Sequence, residues 1–92
     1  MKATIQLIGY VSHFTNGVKS IDVELPGETA CMGDLLVEAG KTLGEEFMRE
    51  ALDLQNRAIK LCAMYKGNII GYETPIPDGA TAQLTFMMDG GC

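Results

Sequence analysis

Clusters of Lys and Arg are missing from this sequence of 92 residues. Seven basic residues stand against twelve acidic ones, which gives a formal net charge of −5 at pH 7. Nucleic acids and anionic membrane surfaces attract positive charge, so both are poor partners for such a chain. We therefore expect no nucleic acid and no membrane among its partners, and a basic protein surface fits its charge better.

Long apolar runs are missing as well. No stretch approaches the roughly 18 residues that a membrane-spanning helix needs, and the first residues lack the apolar core of a secretory signal peptide. These two absences predict a cytoplasmic location.

The cysteines show no CxxC spacing and are odd in number, at Cys31, Cys62 and Cys92. This pattern argues against a disulfide framework and against a zinc site, so we expect three thiols. Cys31 and Cys62 are interpreted as small, partly buried apolar side chains. Cys92 needs a different interpretation because it is the last residue of the sequence.

Signatures of an enzyme are scarce. The sequence contains neither GxGxxG after a strand nor GxxxxGK[ST], so no nucleotide-binding loop is indicated. The single histidine, His13, has no cysteine or carboxylate cluster near it in sequence, and acidic residues at helical spacing are interpreted as a solvated face. Without a nucleophile–base pair or a metal cluster, we expect no catalytic residue, no metal site, no cofactor and no enzymatic activity.

A packed single domain is nevertheless expected, because 47% of the residues are hydrophobic and 21% are charged. Period-two alternation predicts strands over residues 2–11, 19–26 and 81–88, with a turn at Asn16 and Gly17. Residues 57–71 also have strand character, with a turn at 66–68. Residues 31–54 follow a helical period that Gly40 and Gly44 interrupt, which predicts two short helices or one broken helix.

The predicted order is therefore two strands, a helical segment and two or more strands. A sheet covered on one face by the helical segment buries all of these apolar stripes. In this arrangement the core contains nine apolar side chains, namely Ile5, Leu7, Ile21, Val23, Leu35, Leu36, Leu61, Leu84 and Phe86.

Several segments resemble one known family. The hairpin "MYKGNII", the turn and strand "TPIPDGATAQLTFM" and above all the terminal Gly90 and Gly91 resemble the ubiquitin-like sulfur carriers of the MoaD/ThiS family. The resemblance implies an α+β fold of the ubiquitin-like β-grasp type, with a mixed four- to five-stranded sheet and a helix packed on one face. It places the domain at residues 1–88 and a flexible tail at residues 89–92.

The resemblance also implies a chemistry for the tail. An ATP-dependent adenylating enzyme activates the carboxylate of Gly91, sulfur displaces AMP, and the resulting thiocarboxylate delivers sulfide to a sulfur-acceptor synthase. Glycines suit this role because, without a Cβ, they thread a narrow channel and leave the carbonyl open to attack. The alternative is a ubiquitin-like protein modifier or a non-catalytic binding module, which the sequence does not separate from a carrier.

Cys92 departs from the family pattern, because typical members end at the second glycine. Three interpretations stay open: a JAMM-type peptidase removes Cys92, Cys92 was added during cloning, or its thiol works in place. Asp89 is a second departure, since small residues commonly precede the glycines.

An interaction surface is expected on the open face of the sheet, where ubiquitin-like folds commonly meet partners. If Leu84 faces the helix, Met87 lies on the open face, joined by Ile8 from the first strand. A stray exposed apolar residue is the alternative interpretation.

Overall fold

The computed structural model describes residues 1–85, apart from the side chains of Tyr10 and Ser12. These residues form two α-helices, one 3₁₀ helix over Gly9–Phe14 and nine strands. In chain order the α-helices and strands are β1 (Lys2–Ile8), β2 (Ser20–Glu24), β3 (Thr29–Cys31), α1 (Met32–Leu43), α2 (Glu45–Ala51), β4 (Leu52–Asp53), β5 (Ala58–Ile59), β6 (Cys62–Tyr65), β7 (Asn68–Ile70), β8 (Pro75–Pro77) and β9 (Thr81–Thr85).

One mixed sheet dominates the architecture, with its five strands in the order β2-β1-β9-β6-β7. β1 and β9 are parallel neighbours near the centre, whereas the other pairs in this sheet are antiparallel. The predicted α+β fold, with the first and last strands side by side, is therefore confirmed. Two small pairs, β3 with β8 and β4 with β5, were not predicted because strands of two or three residues are too short to show a period.

The first connection differs from the prediction. β1 ends at Ile8 rather than continuing to Val11, because Gly9 takes a φ of +67° and the chain enters the 3₁₀ helix. Val11 then packs fully buried against the core. The predicted turn is present, with positive φ at both Asn16 and Gly17.

The helical segment is broken, as predicted, at Gly44, whose φ is +110°. No side chain caps the start of α1. Instead the backbone N–H groups of Met32 and Gly33 donate to the carbonyls of Thr74 and Tyr72, each at 2.9 Å, which satisfies amides that a helix leaves unpaired. A Cβ on Gly40 would overlap Met48, so glycine is what allows α2 to fold back against α1.

The core lies between the helices and one face of the sheet. Seven predicted core residues are buried, from Ile5, Leu35, Leu36 and Leu84 at 0% exposure to Leu61 at 6%. Ile21 is only partly buried, because β2 is the edge strand of the sheet. Phe86 lies outside the described residues. Neither α-helix of residues 1–85 is long and apolar enough to cross a membrane.

Candidate functional site

The candidate site is the end of β9, where the described chain leads toward the Gly-Gly tail. Thr85, the last described residue, pairs with Ile8 of β1 on one side and with Cys62 of β6 on the other. The tail is therefore connected to an interior strand of the sheet. The predicted site residues Met87, Gly90, Gly91 and Cys92 lie outside the described residues, as does the predicted boundary between domain and tail.

The turn before β9 fixes the position of this strand. The Oδ1 atom of Asp78 accepts a hydrogen bond of 2.7 Å from the backbone N–H of Lys2, and the N–H of Gly79 donates to the carbonyl of Lys2 at 2.7 Å. The N–H of Thr4 then donates to the carbonyl of Ala80 at 2.9 Å. These bonds join the starts of β1 and β9 and so set the parallel register that brings Thr85 opposite Ile8. The turn at Asp78 and Gly79 thus has a physical role in placing β9 beside β1.

The two faces of β9 differ in environment. Ala82 and Leu84 point to the helices and are fully buried, whereas Gln83 and Thr85 are half-buried on the open face. On that face the Nε2 atom of Gln83 donates to Oε1 of Gln6 at 3.2 Å. The open face is therefore partly polar.

Apolar side chains also lie on the open face, on both sides of β9. The register places Met64 opposite Gln83 and Ile69 opposite Met64, while Ile8 lies opposite Thr85. Ile8 is 46% exposed and Ile69 is 59% exposed, and Met64 is half-buried. We call Ile8, Met64 and Ile69 the open-face patch. Ile8 was expected on this face, together with Met87, whereas Met64 and Ile69 were not named.

A signal for the missed residues was present in the sequence. Lys66 and Gly67 form a two-residue turn with positive φ at both positions, and Tyr65 pairs directly with Asn68. Such a turn fixes the register of a hairpin. The positions Met64 and Ile69 follow at once as a pair on one face, because side chains alternate along a strand.

Cys62 shares the open face with this patch, since it pairs with Thr85 while its neighbour Ala63 pairs with Leu84 on the core side. It is nevertheless only 4% exposed. Cys62 is disulfide-bonded, so the prediction that it is a thiol was wrong. Cys31 is a free, half-buried thiol at the start of α1, where burial raises its pKa.

The remaining candidates among residues 1–85 are exposed side chains. His13 is exposed, in the 3₁₀ helix rather than in a loop. The Nε atom of Arg57 donates to Oε1 of Glu73 at 2.6 Å, and its guanidinium lies 4.7 Å from the centre of the Tyr72 ring, but Arg57 and Glu73 are both exposed. Among residues 1–85, no three His, Cys, Asp or Glu side chains are grouped so that they could hold a metal ion.

Comparison with solved structures identifies the architecture. The crystal structure of SAMP1 from Haloferax volcanii matches with a TM-score of 0.80 and 14% identity, covering 99% of this chain and 100% of that one. A putative molybdopterin converting factor, subunit 1, from Pyrococcus furiosus matches with a TM-score of 0.70 and 19% identity, covering 94% and 97%. The chain has the ubiquitin-like β-grasp fold.

Neither family models nor curated proteins match this sequence. The similarity to the two β-grasp structures is therefore one of backbone architecture at low sequence identity. The two matches extend over nearly the whole chain, at 99% and 94% of its length.

Proposed function

We propose that this β-grasp protein is a sulfur carrier whose Gly91 carboxylate is adenylated and then converted to a thiocarboxylate. The observation that supports the proposal is the position of β9, a central strand of a β-grasp sheet whose sequence continues into Gly90 and Gly91. In the activation step the carboxylate attacks the α-phosphate of ATP and releases pyrophosphate. A sulfur nucleophile then displaces AMP at the carbonyl carbon. The carrier supplies the carboxylate and no catalytic group, so it is not itself an enzyme.

The attachment of the tail suits delivery into a partner enzyme. Gly91 stands three positions beyond Met88, the expected end of the domain, and three extended residues span about 10 Å. The reacting carbonyl could therefore enter a deep site while the folded domain stays outside. Two glycines pass a narrow channel because they lack a Cβ, and they accept backbone angles that other residues avoid.

The partners in this proposal are an ATP-dependent adenylating enzyme and a sulfur-acceptor synthase. The open-face patch, extended by Met87, is the surface that we propose for their binding. Its exposed Ile8 and Ile69 flank the strand that leads to the tail, so one docking event would also direct the tail. The net charge of −5 favours a basic surface around the partner's site.

Cys92 must be removed before Gly91 can be activated, because in the full chain the Gly91 carbonyl forms a peptide bond with Cys92. A JAMM-type peptidase is the proposed agent. Hydrolysis of that single bond creates the free carboxylate, and the full-length chain is then an inactive precursor.

The second candidate is a ubiquitin-like protein modifier. It would use the same acyl-adenylate, but the attacking group would be a lysine amine of a target protein rather than sulfur. The match to SAMP1 has a higher TM-score than the match to the converting factor subunit, which keeps this alternative in consideration. The two functions differ in their products, since a conjugate gains the mass of a whole target.

The proposed function is tested with two forms of the protein, the full chain and a chain that ends at Gly91. Each is incubated with ATP, sulfide and a MoaD/ThiS-type adenylating enzyme from the same organism. We expect ATP–pyrophosphate exchange only with the Gly91-ended form. Intact mass spectrometry should then show the replacement of one oxygen atom by sulfur in that form.

Gly91→Ala in the Gly91-ended chain is the control. It should retain the fold and fail in transfer, because its methyl group lies beside the reacting carbonyl. Equal thiolation of the Cys92-ended chain would contradict the precursor role. Conjugates in a lysate, without any thiocarboxylate, would favour the modifier.

A further inference from the structure

The strand β2 lies at one edge of the main sheet, and β7 forms the other edge. β2 pairs with β1 through alternate residues, beginning where the N–H of Leu7 donates to the carbonyl of Lys19 at 2.8 Å. In an antiparallel pair, the residues between such bonded positions turn their N–H and C=O groups away from the partner strand. The outward backbone groups therefore belong to alternate residues of β2, namely Ser20, Asp22 and Glu24.

These outward backbone groups have no hydrogen-bond partner among residues 1–85. The three residues that carry them are all exposed. A sheet edge with a row of unpaired N–H and C=O groups is a template on which another extended chain can pair. The edge at β2 thus supplies the main-chain part of a peptide-binding site.

A groove of about 390 Å³ adjoins the end of β2, between this strand and α1. Its apolar lining includes Leu25, Ala30 and Val37, which are half-buried and pack against the core. Leu25 continues the core-facing row of Ile21 and Val23, because side chains alternate along a strand. A strand added about 4.8 Å beyond β2 would direct every second side chain toward α1 and, at the Leu25 end, into this groove.

Acidic side chains surround this edge. Two lie on β2, two line the groove from α1, and a fifth lies in the exposed loop between β2 and β3. They are Asp22, Glu24, Asp34, Glu38 and Glu28. Glu38 pairs with Lys41 at 3.0 Å, and Asp22 accepts a hydrogen bond from the uncharged hydroxyl of Thr4. Within residues 1–85, no Lys or Arg forms an ion pair with the other three carboxylates.

The edge therefore carries more negative than positive charge. Three lysines stand against these five carboxylates. They are Lys2 opposite Glu24, Lys19 before the start of β2, and Lys41 on α1. Lys and Arg side chains on an added strand are attracted here, whereas Asp and Glu side chains are repelled.

A second copy of this chain is a poor occupant for the same reason. An antiparallel pair of two β2 strands centred on Asp22 would place the two Asp22 carboxylates directly opposite each other. The next register toward the groove would place Asp22 opposite Glu24. Like charges directly opposite each other destabilise a strand pair, so the edge favours a basic partner over itself.

We propose that β2 binds an extended segment of a partner protein in which apolar and basic residues alternate. The segment adds a sixth strand to the main sheet by pairing with the outward backbone groups of β2. Its apolar side chains point toward α1 and enter the groove lined by Leu25 and Val37. Its Lys or Arg side chains lie on the other face, beside the carboxylates of Asp22 and Glu24.

This site is separate from the open-face patch. Three strands lie between β2 and β7, so Ile69 is about 19 Å away across the sheet. The groove end of β2 lies beside Lys2 at the start of β1, whereas Thr85 lies opposite Ile8 at its end. A segment on β2 would therefore leave the end of β9 accessible. The inference does not rest on the proposed function.

The probe is a synthetic peptide, slightly longer than β2, in which Val and Lys alternate. Its binding to the full chain is measured by fluorescence anisotropy at physiological ionic strength, with reductant present. A peptide with Glu in place of Lys is the charge control, and we expect it to bind at least about tenfold more weakly. Absence of binding by the Val-Lys peptide, or equal binding of the two peptides, would overturn the proposal.

Two further peptides test the backbone pairing. One is N-methylated at its Lys residues and the other at its Val residues, which blocks the N–H groups on one edge of the peptide at a time. We expect one of them to bind at least about tenfold more weakly than the other, because only one edge of the added strand pairs with β2. Loss with the Lys-methylated peptide would indicate an antiparallel strand, and loss with the Val-methylated peptide a parallel one. Equal affinities would overturn strand addition.

Amide hydrogen exchange, followed by NMR, locates the peptide. We expect exchange at the outward N–H groups of Ser20, Asp22 and Glu24 to slow about tenfold or more when the peptide is bound. Ile21 and Val23 should change little, because their N–H groups already pair with β1. Protection on β7 instead of β2 would overturn the assignment of the site.

Ser20→Pro removes one outward N–H at the first residue of an edge strand, a position that accepts proline. Binding of the Val-Lys peptide should weaken about fivefold or more, because the ring also obstructs the added strand. Ser20→Ala is the matched control and should bind as the native chain. Equal affinities of the two variants would contradict pairing at this edge.

Glu24→Gln tests the charge without altering the backbone. Binding of the Val-Lys peptide should weaken about two- to fivefold, as expected for the loss of an exposed ion pair. Glu46→Gln makes the same change of charge at an exposed position of α2 that does not line the groove. It should leave the affinity at the native value. Equal weakening by both variants would mean that net charge alone attracts the peptide, and would overturn the site.

Sedimentation of the reduced full chain tests the competing occupant. We expect a monomer over the whole concentration range. A dimer that forms with rising concentration and is lost in Ser20→Pro would assign the edge to a second copy and overturn the proposal.

Discussion

The two faces of β9 contrast within a strand of five residues. Ala82 and Leu84 are fully buried beneath the helices, whereas Gln83 and Thr85, one position away, are half-buried on the open face. Every second residue of the strand therefore contributes to the core, and the others form a surface that ends at the tail. Under the proposed function, stability depends on one face of this backbone and partner binding on the other.

This separation explains how the chain can carry apolar side chains on its surface without loss of a defined core. The open-face patch adds little burial. Elsewhere on the same face, the hydroxyl of Thr4 donates a hydrogen bond of 2.7 Å to Oδ1 of Asp22. Substitutions on the core face should therefore change the free energy of unfolding. Substitutions on the open face should instead change binding.

The largest expected effect on stability is that of Leu84→Ala. Leu84 is fully buried in the hydrophobic core, and removal of a buried leucine side chain costs about 2–5 kcal/mol. Gln83→Ala is the matched control on the other face and should cost no more than about 1 kcal/mol, since it removes one exposed hydrogen bond. Chemical denaturation of both variants gives the two values. A cost for Leu84→Ala below about 0.5 kcal/mol would contradict the facing of β9.

A smaller loss of stability is expected from a substitution at Gly33, where α1 packs against Tyr72, two residues beyond β7. A Cβ on Gly33 would overlap the ring of Tyr72. Displacement of packed side chains costs about 1–3 kcal/mol, and the helix propensity of alanine returns up to about 1 kcal/mol. Gly33→Ala should therefore destabilise by about 1–2 kcal/mol.

Gly71→Ala is the matched control for that substitution, because a Cβ there has no atom within 4 Å. It should leave the thermal midpoint nearly unchanged. A stabilised Gly33→Ala would mean that the Tyr72 ring moves aside at little cost.

The sequence sufficed for features that depend on a period or on a turn. The structure contains the strands β1 and β9 that alternation predicted, and the break between α1 and α2 that the glycines predicted. It also contains the predicted turn at Lys66 and Gly67. The 3₁₀ helix after Ile8 was missed, because the burial of Val11 comes from contacts distant in sequence. The position of Cys62 beside Thr85 was missed for the same reason. Spacing does not reveal that Cys62 and Thr85 are neighbours across two strands.

The smallest expected effect on stability is on the open face, and there it is combined with the largest effect on binding. Ile69 is 59% exposed on β7, so Ile69→Thr keeps a β-branched side chain in the strand and should change the free energy of unfolding by less than about 0.5 kcal/mol. Leu54→Gln, at a site that is 51% exposed outside the main sheet, is the control.

Affinity for the adenylating enzyme, measured by calorimetry with reduced protein, should fall about fivefold or more for Ile69→Thr, because an apolar anchor in an interface contributes more than about 1 kcal/mol. It should stay at the native value for Leu54→Gln. Equal affinities for the two variants would remove the open-face patch from partner binding.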